Sequence, residues 1–176
     1  VPGLQPTFTA YIRDISRRVA TDADMKATTQ RLSALVENLN AAVLVENEDR
    51  TIGLANTHFC EVFDGPADPD QWIGTECTEA VKAAARLLAD PETFLRRTND
   101  VFDLGQPVFN QEIAFADGRV FERDHIPITV DGRNAGRVWV YRDVTSRIDV
   151  ERQLGEARDN ALAASRLKSS FLATMS

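Results

Sequence analysis

Two cysteines are the residues best suited to thiol or metal chemistry in this 176-residue chain. The spacing between Cys60 and Cys77 matches neither a metal-binding motif nor a disulfide framework. We expect Cys77 to be partly exposed, with neighbouring Glu76 raising the pKa of its thiol rather than lowering it. Both cysteines are therefore predicted to be inert, and their small number suits a reducing, cytoplasmic location.

The two histidines are the next candidates for acid–base chemistry or metal binding. His58 lies at the start of a predicted short helix, and His125 lies on a predicted strand. Neither belongs to a metal triad, and no Gly-rich phosphate loop or nucleophile–base pair stands out in the sequence. We expect structural or surface roles for both histidines and no bound metal.

A charged run, Glu122-Arg123-Asp124, could hold a polar ligand by charge. Alternatively, Glu122 and Asp124 share one face of a strand. They would then pair with Arg137 or Arg142 across the sheet, or face solvent.

Composition excludes several classes of partner. With 20 basic and 27 acidic residues the net charge is −7, which disfavours nucleic acid, because phosphate binding needs a basic surface. The longest purely apolar run, 41–45, is too short to cross a bilayer, and no secretory signal opens the chain, so we expect no membrane contact. The length suits one domain with flanking helices.

Both ends of the chain contain apolar positions spaced alternately by four and three residues. This spacing predicts helices that pair as a parallel coiled coil, and so a homodimer. The alternative is a solvated helix packed against its own domain. The seam of the N-terminal helix, 16–40, is Met25, Thr29, Leu32, Val36 and Leu39; that of the C-terminal helix, interrupted by Lys168, is Val150, Leu154, Ala157, Ala161, Ala164, Phe171 and Met175.

The middle of the chain, 41–145, reads as two strands, a helical crossover and a three-stranded meander. Asp90 and Pro91 predict the start of the longest crossover helix. Phe109, Ile113 and Phe115 alternate with polar residues and are expected to face the helices. Asp117-Gly118 predicts a two-residue hairpin turn. The predicted strands are 42–46, 51–55, 109–115, 120–129 and 137–141, and the predicted helices are 56–63, 78–89 and 90–105.

This order of elements resembles a PAS domain. The residues that carry the resemblance are Asn56 with Phe59, Trp72-Ile73-Gly74, Asp117-Gly118-Arg119, and the stretch from Gly136 to Thr145 that includes Arg-Asp-Val-Thr. The resemblance covers residues 30–147. It implies an α+β fold in which a five-stranded antiparallel sheet has a helical crossover on one face.

The segment from Ser165 to Ser176 resembles the start of the dimerisation and phosphotransfer helix of bacterial sensor histidine kinases, just before the phospho-acceptor histidine. The resemblance implies a parent kinase of a two-component system. That parent would phosphorylate its own histidine with ATP and pass the phosphate to a response regulator. The fragment itself is expected to be non-catalytic. Another output, such as a cyclic-nucleotide cyclase, is the alternative.

An internal echo indicates a tandem arrangement. Residues 11–18 resemble residues 140–147, so residues 1–15 are interpreted as the last strand of an upstream PAS-like domain. The expected layout is this remnant, a linker helix 16–40, a PAS domain 41–145, and a signalling coiled-coil helix 146–176.

PAS ligands, where present, lie between the inner face of the sheet and the helices. Alternation leaves open whether Trp139 or its neighbours Val138 and Val140 face inward. The alternative reading is that the lining residues simply fill a core. The candidate lining is Val43, Val45, Phe59, Val62, Phe94, Thr98, Val101, Phe109, Ile113, Phe115, Ile126, Trp139 and Tyr141.

No cofactor is identified by the resemblance. Heme-binding PAS domains usually supply a histidine from the long helix before the meander, and residues 90–105 contain none. The Asn-Cys-Arg-Phe-Leu-Gln motif of flavin photoreceptors is also missing from the sequence.

The junction Asp143-Val144-Thr145 joins the last strand to the C-terminal helix. Its polar side chains can cap the first helical turn, so we expect it to transmit movement of the sheet to the coiled coil. An ordinary cap is the alternative. The resulting hypothesis is a sensory and dimerisation module of a histidine kinase, and its rival is a ligand-free interaction module that only sets dimer register.

Overall fold

The computed structural model describes the backbone of residues 16–174 and the side chains of residues 24–166 and 170. The chain divides into two units, one ending at Asn38 and the other beginning at Leu39. The predicted strand remnant, residues 1–15, lies outside the described residues. So do the side chains of the predicted seam residues Phe171 and Met175.

In the described part of the first unit, helix α1 runs from Ser16 to Glu37. It ends three residues before the predicted limit, where both the N–H and the side-chain amide of Asn38 donate to the carbonyl of Ala34, at 3.2 and 2.7 Å. The predicted seam residues Met25 and Leu32 are exposed, and Val36 is half-buried. Pairing of this helix with a second copy remains a prediction.

The second unit is built on a five-stranded sheet in the order β2-β1-β5-β4-β3. Every neighbouring pair is antiparallel, and the helices of the crossover lie between β2 and β3 in the chain, so the predicted fold class is confirmed. The strands are β1 Ala42–Glu46, β2 Ile52–Ala55, β3 Val108–Ala114, β4 Val120–Val130 and β5 Arg133–Asp143. The helices are α2 Thr57–Val62, a 3-10 helix Pro69–Trp72, α3 Cys77–Ala85, α4 Pro91–Leu104 and α5 Thr145–Thr174.

Side-chain caps fix the ends of the crossover helices. The buried Asn56 side chain accepts from the N–H groups of Phe59 and Val43, which ties the start of α2 to β1. Asp90 accepts from the N–H of Thr93 at 3.0 Å, and α4 ends at Gly105, whose φ is 61°. These are the capping interactions that the sequence predicts for α4.

Helix α3 ends at Ala85, four residues before the predicted limit. Beyond Arg86 the backbone pairs with the end of β3: the Ala89 N–H donates to Ala114 O, and the Ala116 N–H donates to Leu87 O. Leu88 is buried in the core within this pairing. The prediction of a continuous helix to 89 was wrong, because alanine-rich helix propensity is weaker than these tertiary contacts.

The two hairpin loops of the meander differ from the sequence prediction. The Phe115 N–H donates to Arg119 O at 2.8 Å, so the β3–β4 loop has three residues rather than two. Between β4 and β5, Asp131 and Gly132 both have positive φ, 51° and 74°, as in a type I′ turn. This tight turn allows β5 to begin at Arg133, four residues earlier than predicted.

A β-bulge corrects the predicted orientation of Phe109. The register shifts between Val108 and Gln111, where Asn110 has a φ of 54° and donates its N–H to the Asp124 carboxylate. The extra residue reverses the alternation at the start of the strand, so Phe109 is 58% exposed and Val108 packs against the core instead.

Candidate functional site

The inner face of the sheet is set by the register of β1, β5 and β4. Leu44 pairs with Trp139, and both side chains belong to the buried core. Trp139 and Tyr141 therefore face the helices, which decides the alternative that alternation left open. Val43, Val45 and Ile126 occupy positions of the opposite parity, so their assignment to the inner lining was wrong.

Apart from the exposed Phe109, the remaining candidate lining residues lie together, but they fill space. Val62 is partly buried against this core. The interior beside Trp139 and Tyr141 retains a cavity of only about 20 Å³, room for about one water molecule. The interior is therefore a packed core, as in the alternative reading of the sequence. The buried members are Phe59, Phe94, Thr98, Val101, Ile113, Phe115, Trp139 and Tyr141.

Arg123 is a buried cation on this inner face, only 2% exposed. It donates to the Thr98 hydroxyl at 2.7 Å and to the side-chain oxygen of Gln111 at 2.9 Å. Its guanidinium lies 5.0 Å from the Phe94 ring and 4.9 Å from the Trp139 ring. Burial lowers the pKa of Arg123. The sequence singled out this residue in a charged run, but it did not predict burial.

The charged neighbours of Arg123 take different partners. Asp124, on the outer face, forms an ion pair with Arg142 at 2.8 Å, one of the cross-strand pairings that the sequence allowed. Glu122 instead pairs with Arg147 on α5. That contact joins the sheet to the C-terminal helix, and sequence alternation alone gives no signal for it.

A second buried charged cluster surrounds Glu46, which sequence reasoning missed. Its carboxylate lies 2.7 Å from Nε of Arg50 and 3.9 Å from Nε of Arg137, and it accepts from the Trp139 indole N–H at 3.2 Å. The two guanidinium groups lie over the Phe102 ring, at 4.1 and 4.4 Å. The i, i+4 spacing of Glu46 and Arg50 around a tight turn was the available signal.

The cysteines and histidines are not arranged for catalysis. Both cysteines are buried, so the expected partial exposure of Cys77 was wrong. Burial, followed by the charge of Glu46, raises the pKa of the Cys77 thiol to about 12, which keeps it protonated at neutral pH. His58 is exposed. His125 is buried with Nδ1 3.3 Å from Gln106 O, and burial lowers its pKa.

The described side chains do not form a metal-binding cluster. Among the residues with described side chains, no group of three His, Cys, Asp or Glu is arranged to hold a metal ion.

A groove of about 410 Å³ lies at the edge of the sheet, between the start of α4 and β3. Arg123 lines both this groove and the filled interior. Arg97 and Thr93 line it from α4, and Ile148 from α5. The buried side chains of its described lining are Leu88, Phe94, Ile113 and Arg123. Its volume falls in the range of small-molecule sites.

The junction between β5 and α5 is tied to β4 by several hydrogen bonds. Asp143 Oδ1 accepts from the Thr145 N–H at 2.9 Å and from its hydroxyl at 2.6 Å. Thr145 Oγ1 in turn accepts from the Val120 N–H at 2.9 Å, and the Val144 N–H donates to Val120 O. Both ends of the junction are thereby fixed to the start of β4.

The family model described as PAS fold matches residues 36–149. That span contains the whole sheet, the crossover helices and the junction. The chain belongs to the PAS family. None of the curated proteins matches it.

Several solved structures are similar to this chain at low sequence identity. The PAS domain of Bordetella pertussis BvgS is 17% identical with a TM-score of 0.53, covering 76% of this chain and 98% of that one. A sensor region of a sensor histidine kinase is 21% identical with a TM-score of 0.47; the match covers 60% of this chain and 40% of the length of that one. A phage VqmA–DPO complex is 19% identical with a TM-score of 0.49, covering 78% and 62%.

Helix α5 of the PAS domain carries the predicted seam on an uncovered surface. Val150 and Leu154 are 62% and 70% exposed, and Ala157, Ala161 and Ala164 are also exposed. Over 150–166 these side chains do not pack on their own domain, contrary to the alternative reading of the sequence. In the part of the chain that the structure describes, no helix has the length and hydrophobicity needed to span a membrane.

Proposed function

We propose that this PAS domain is a sensory and dimerisation module of a two-component sensor histidine kinase. It receives a signal at the sheet and passes it through Asp143-Val144-Thr145 to α5, which controls autophosphorylation. The observation that carries the proposal is the hydrogen-bonded junction, which joins β5 to a 30-residue helix with one intervening residue.

The mechanism follows from the contacts of the first turn of α5. Thr145 is bonded to Val120, Arg147 to Glu122, and Ile148 lines the groove beside β3. A displacement of β4 therefore acts directly on two positions of the helix, Thr145 and Arg147. Packed elements adopt discrete arrangements, so a small shift can select between orientations of the coil.

The coil is proposed to be a parallel homodimer. Its exposed apolar positions repeat at intervals of four and three, and a second copy would cover them. The predicted seam of α1 would extend the same dimer.

Catalysis, ATP and the response regulator belong to the parent kinase in this proposal, which rests on the resemblance of residues 165–176 to a phosphotransfer helix. The proposed location is cytoplasmic.

Replacement of Asp143 by alanine in the full-length kinase tests the relay. It removes both hydrogen bonds from Thr145 to the carboxylate. We expect autophosphorylation to lose its dependence on signal, while the helix loses about 1 kcal/mol of capping free energy. The control is Asp149→Ala, which removes an exposed carboxylate one turn later that pairs only with Arg152 among the described ion pairs. A signal response equal to that of the unmodified kinase would contradict the relay.

The second candidate function is a ligand-free interaction module that sets dimer register. The filled interior, with a cavity of about 20 Å³, favours it over an internal ligand site. The two candidates differ in whether any small molecule binds the domain, and the groove beside β3 decides between them.

A further inference from the structure

The groove beside β3 combines apolar walls with a positive centre. Part of its lining is the place where the segment after α3 pairs with the end of β3, through the Ala89 N–H and Ala114 O. Arg123 forms the inner wall, and Arg97 lies exposed at the rim. The apolar side chains that line it are Leu88, Phe94, Ile113, Val120 and Ile148.

The charge of Arg123 has no anionic partner among the residues with described side chains. Its hydrogen-bond acceptors, the Thr98 hydroxyl and the Gln111 amide oxygen, are neutral. The Tyr141 hydroxyl also interacts with it, and burial raises the pKa of Tyr141, so that partner is neutral as well. An isolated buried guanidinium loses hydration that neutral acceptors and aromatic rings replace only in part. Arg97 adds a second positive charge and contributes to the lowered pKa of Arg123.

Two carboxylates, Asp90 and Glu112, line the groove. Hydrogen bonds from Thr93, and to a smaller extent the charge of Arg97, lower the pKa of Asp90. Asp90 is exposed, and its carboxylate accepts from the Thr93 N–H as the cap of α4. Glu112 is exposed on the alternate parity of β3 from the buried Ile113. Neither forms an ion pair with Arg123 or Arg97 in the part of the chain that the structure describes.

We infer that this groove binds a small amphipathic carboxylate. Its carboxylate is held by Arg123 and Arg97, and its apolar body lies against Ile113, Val120 and Ile148. The amide oxygen of the half-buried Gln111 now accepts from the guanidinium of Arg123, and the bound anion would displace it. A planar guanidinium suits a carboxylate because two parallel N–H groups match its two oxygens.

The inference rests on the proposed function, because it supplies that function with a ligand. Ile148 is the residue that links the two, since it lines the groove and lies in the first turns of α5. An occupant in contact with Ile148 biases the position of α5 relative to β4. The site adjoins the filled space between the sheet and the helices, and Phe94 and Arg123 line both.

Thermal unfolding of the purified protein tests the site with matched probes. Phenylacetate and hexanoate, each at about 10 mM, are compared with phenylacetamide and hexanamide at equal ionic strength. We expect at least one carboxylate to raise Tm by about 3–6 °C, as for a dissociation constant near 1 mM, and its amide to have no effect. No shift with either carboxylate, or equal shifts with the amides, would overturn the inference. An equal shift with inorganic phosphate would also overturn it, because the apolar walls would then contribute nothing.

Two variants assign any shift to the groove. Arg123→Gln is expected to abolish the shift and Arg97→Gln to reduce it at least threefold. The control is Arg133→Gln, which replaces an exposed arginine at the β4–β5 turn and should retain the full shift. If Arg123→Gln does not fold, the exposed Arg97 carries the test alone, and an unchanged shift in Arg97→Gln contradicts the site.

Failure of the site and failure of the proposed function are distinguishable. The Asp143→Ala experiment measures coupling in the parent kinase without any added carboxylate. Loss of coupling there together with no carboxylate-dependent shift would remove the ligand site and retain the relay.

Discussion

Gly136 illustrates how a single residue determines the register of the sheet. Its φ is 113°, and a Cβ atom at this position would lie 2.1 Å from the carbonyl oxygen of Glu46. Strand β5 therefore approaches β1 more closely than any side chain allows. The same contact keeps Glu46 opposite Arg137, where the buried carboxylate meets two arginines.

Gly136→Ala is predicted to lower the free energy of unfolding by about 2–4 kcal/mol, because both the backbone conformation and the contact with Glu46 become strained. Chemical denaturation measures the change. The matched control is Gly155→Ala on α5, where a Cβ meets nothing within 4 Å and helix propensity favours alanine. Equal effects of the two substitutions would contradict this account of Gly136.

Cys77 gives the PAS core a predicted dependence on alkaline pH. Its folded-state pKa, raised to about 12 by burial and by Glu46, exceeds that of an unfolded thiol. The stability from the protonated thiol is complete below about pH 8.5. It declines as the pH rises towards 12, because only the unfolded chain releases the proton. Tyr141, whose pKa is also raised by burial, acts in the same direction at higher pH.

Chemical denaturation at pH 7 and pH 10 measures this effect. Above pH 9, each fully shifted group lowers the free energy of unfolding by about 1.4 kcal/mol per pH unit. Cys77→Ala is predicted to lose less stability than the unmodified protein between the two pH values. At pH 7 the thiol is protonated in both states, so the difference in unfolding free energy between Cys77→Ala and the unmodified protein reports the packing change alone. This difference serves as the internal control. Identical losses in both proteins would show that the thiol ionises equally in the folded and unfolded states.

At the scale of elements, local signals predicted what local chemistry determines. Asp90 and Gly105 were sufficient to place the ends of α4, because caps and left-handed residues act within a few positions. The end of α3 and the orientation of Phe109 depend on pairing with distant backbone, at Ala114 and at Asp124. Sequence periodicity contains no record of such contacts.

The candidate site also contains some features that strand alternation predicts and others that depend on packing between distant elements. Alternation grouped Ile113, Phe115 and Tyr141 on one face, but it could not choose the correct parity of β1, where Leu44 rather than Val43 faces the core. The burial of Arg123 and the groove beside it depend on how α4 lies against β3. A single charged run in the sequence gives no measure of that packing.

The seam of α5 makes a prediction that belongs to one helix. Ala164→Glu places a carboxylate in the proposed apolar interface and should lower the dimer mass measured by light scattering; adding Ala161→Glu should strengthen the effect. Ala163→Glu is the control, since it adds the same charge to the same helix outside the seam. Equal masses for Ala164→Glu and Ala163→Glu would contradict the seam.

At the scale of the whole molecule, a PAS domain with a filled interior continues into α5, a helix whose apolar positions are exposed. Such a helix has a low intrinsic stability when isolated in water, and pairing with a second copy supplies the burial that its own domain does not. The relay at Asp143-Val144-Thr145 requires this pairing, because a tilt or rotation of α5 changes the structure of the dimer only relative to a second copy of the helix. Parallel, in-register pairing of α5 is therefore the central claim.

Disulfide cross-linking along α5 tests that claim most directly. Single cysteines are introduced at each position from Ala157 to Arg166, while native Cys60 and Cys77 remain buried. A residue can link to its own copy only where parallel helices bring equivalent positions together. We predict maxima in covalent dimer at Ala157, Ala161 and Ala164 with minima between them. Uniformly low yields, or maxima on the opposite face at Asp159 and Ala163, would contradict the account.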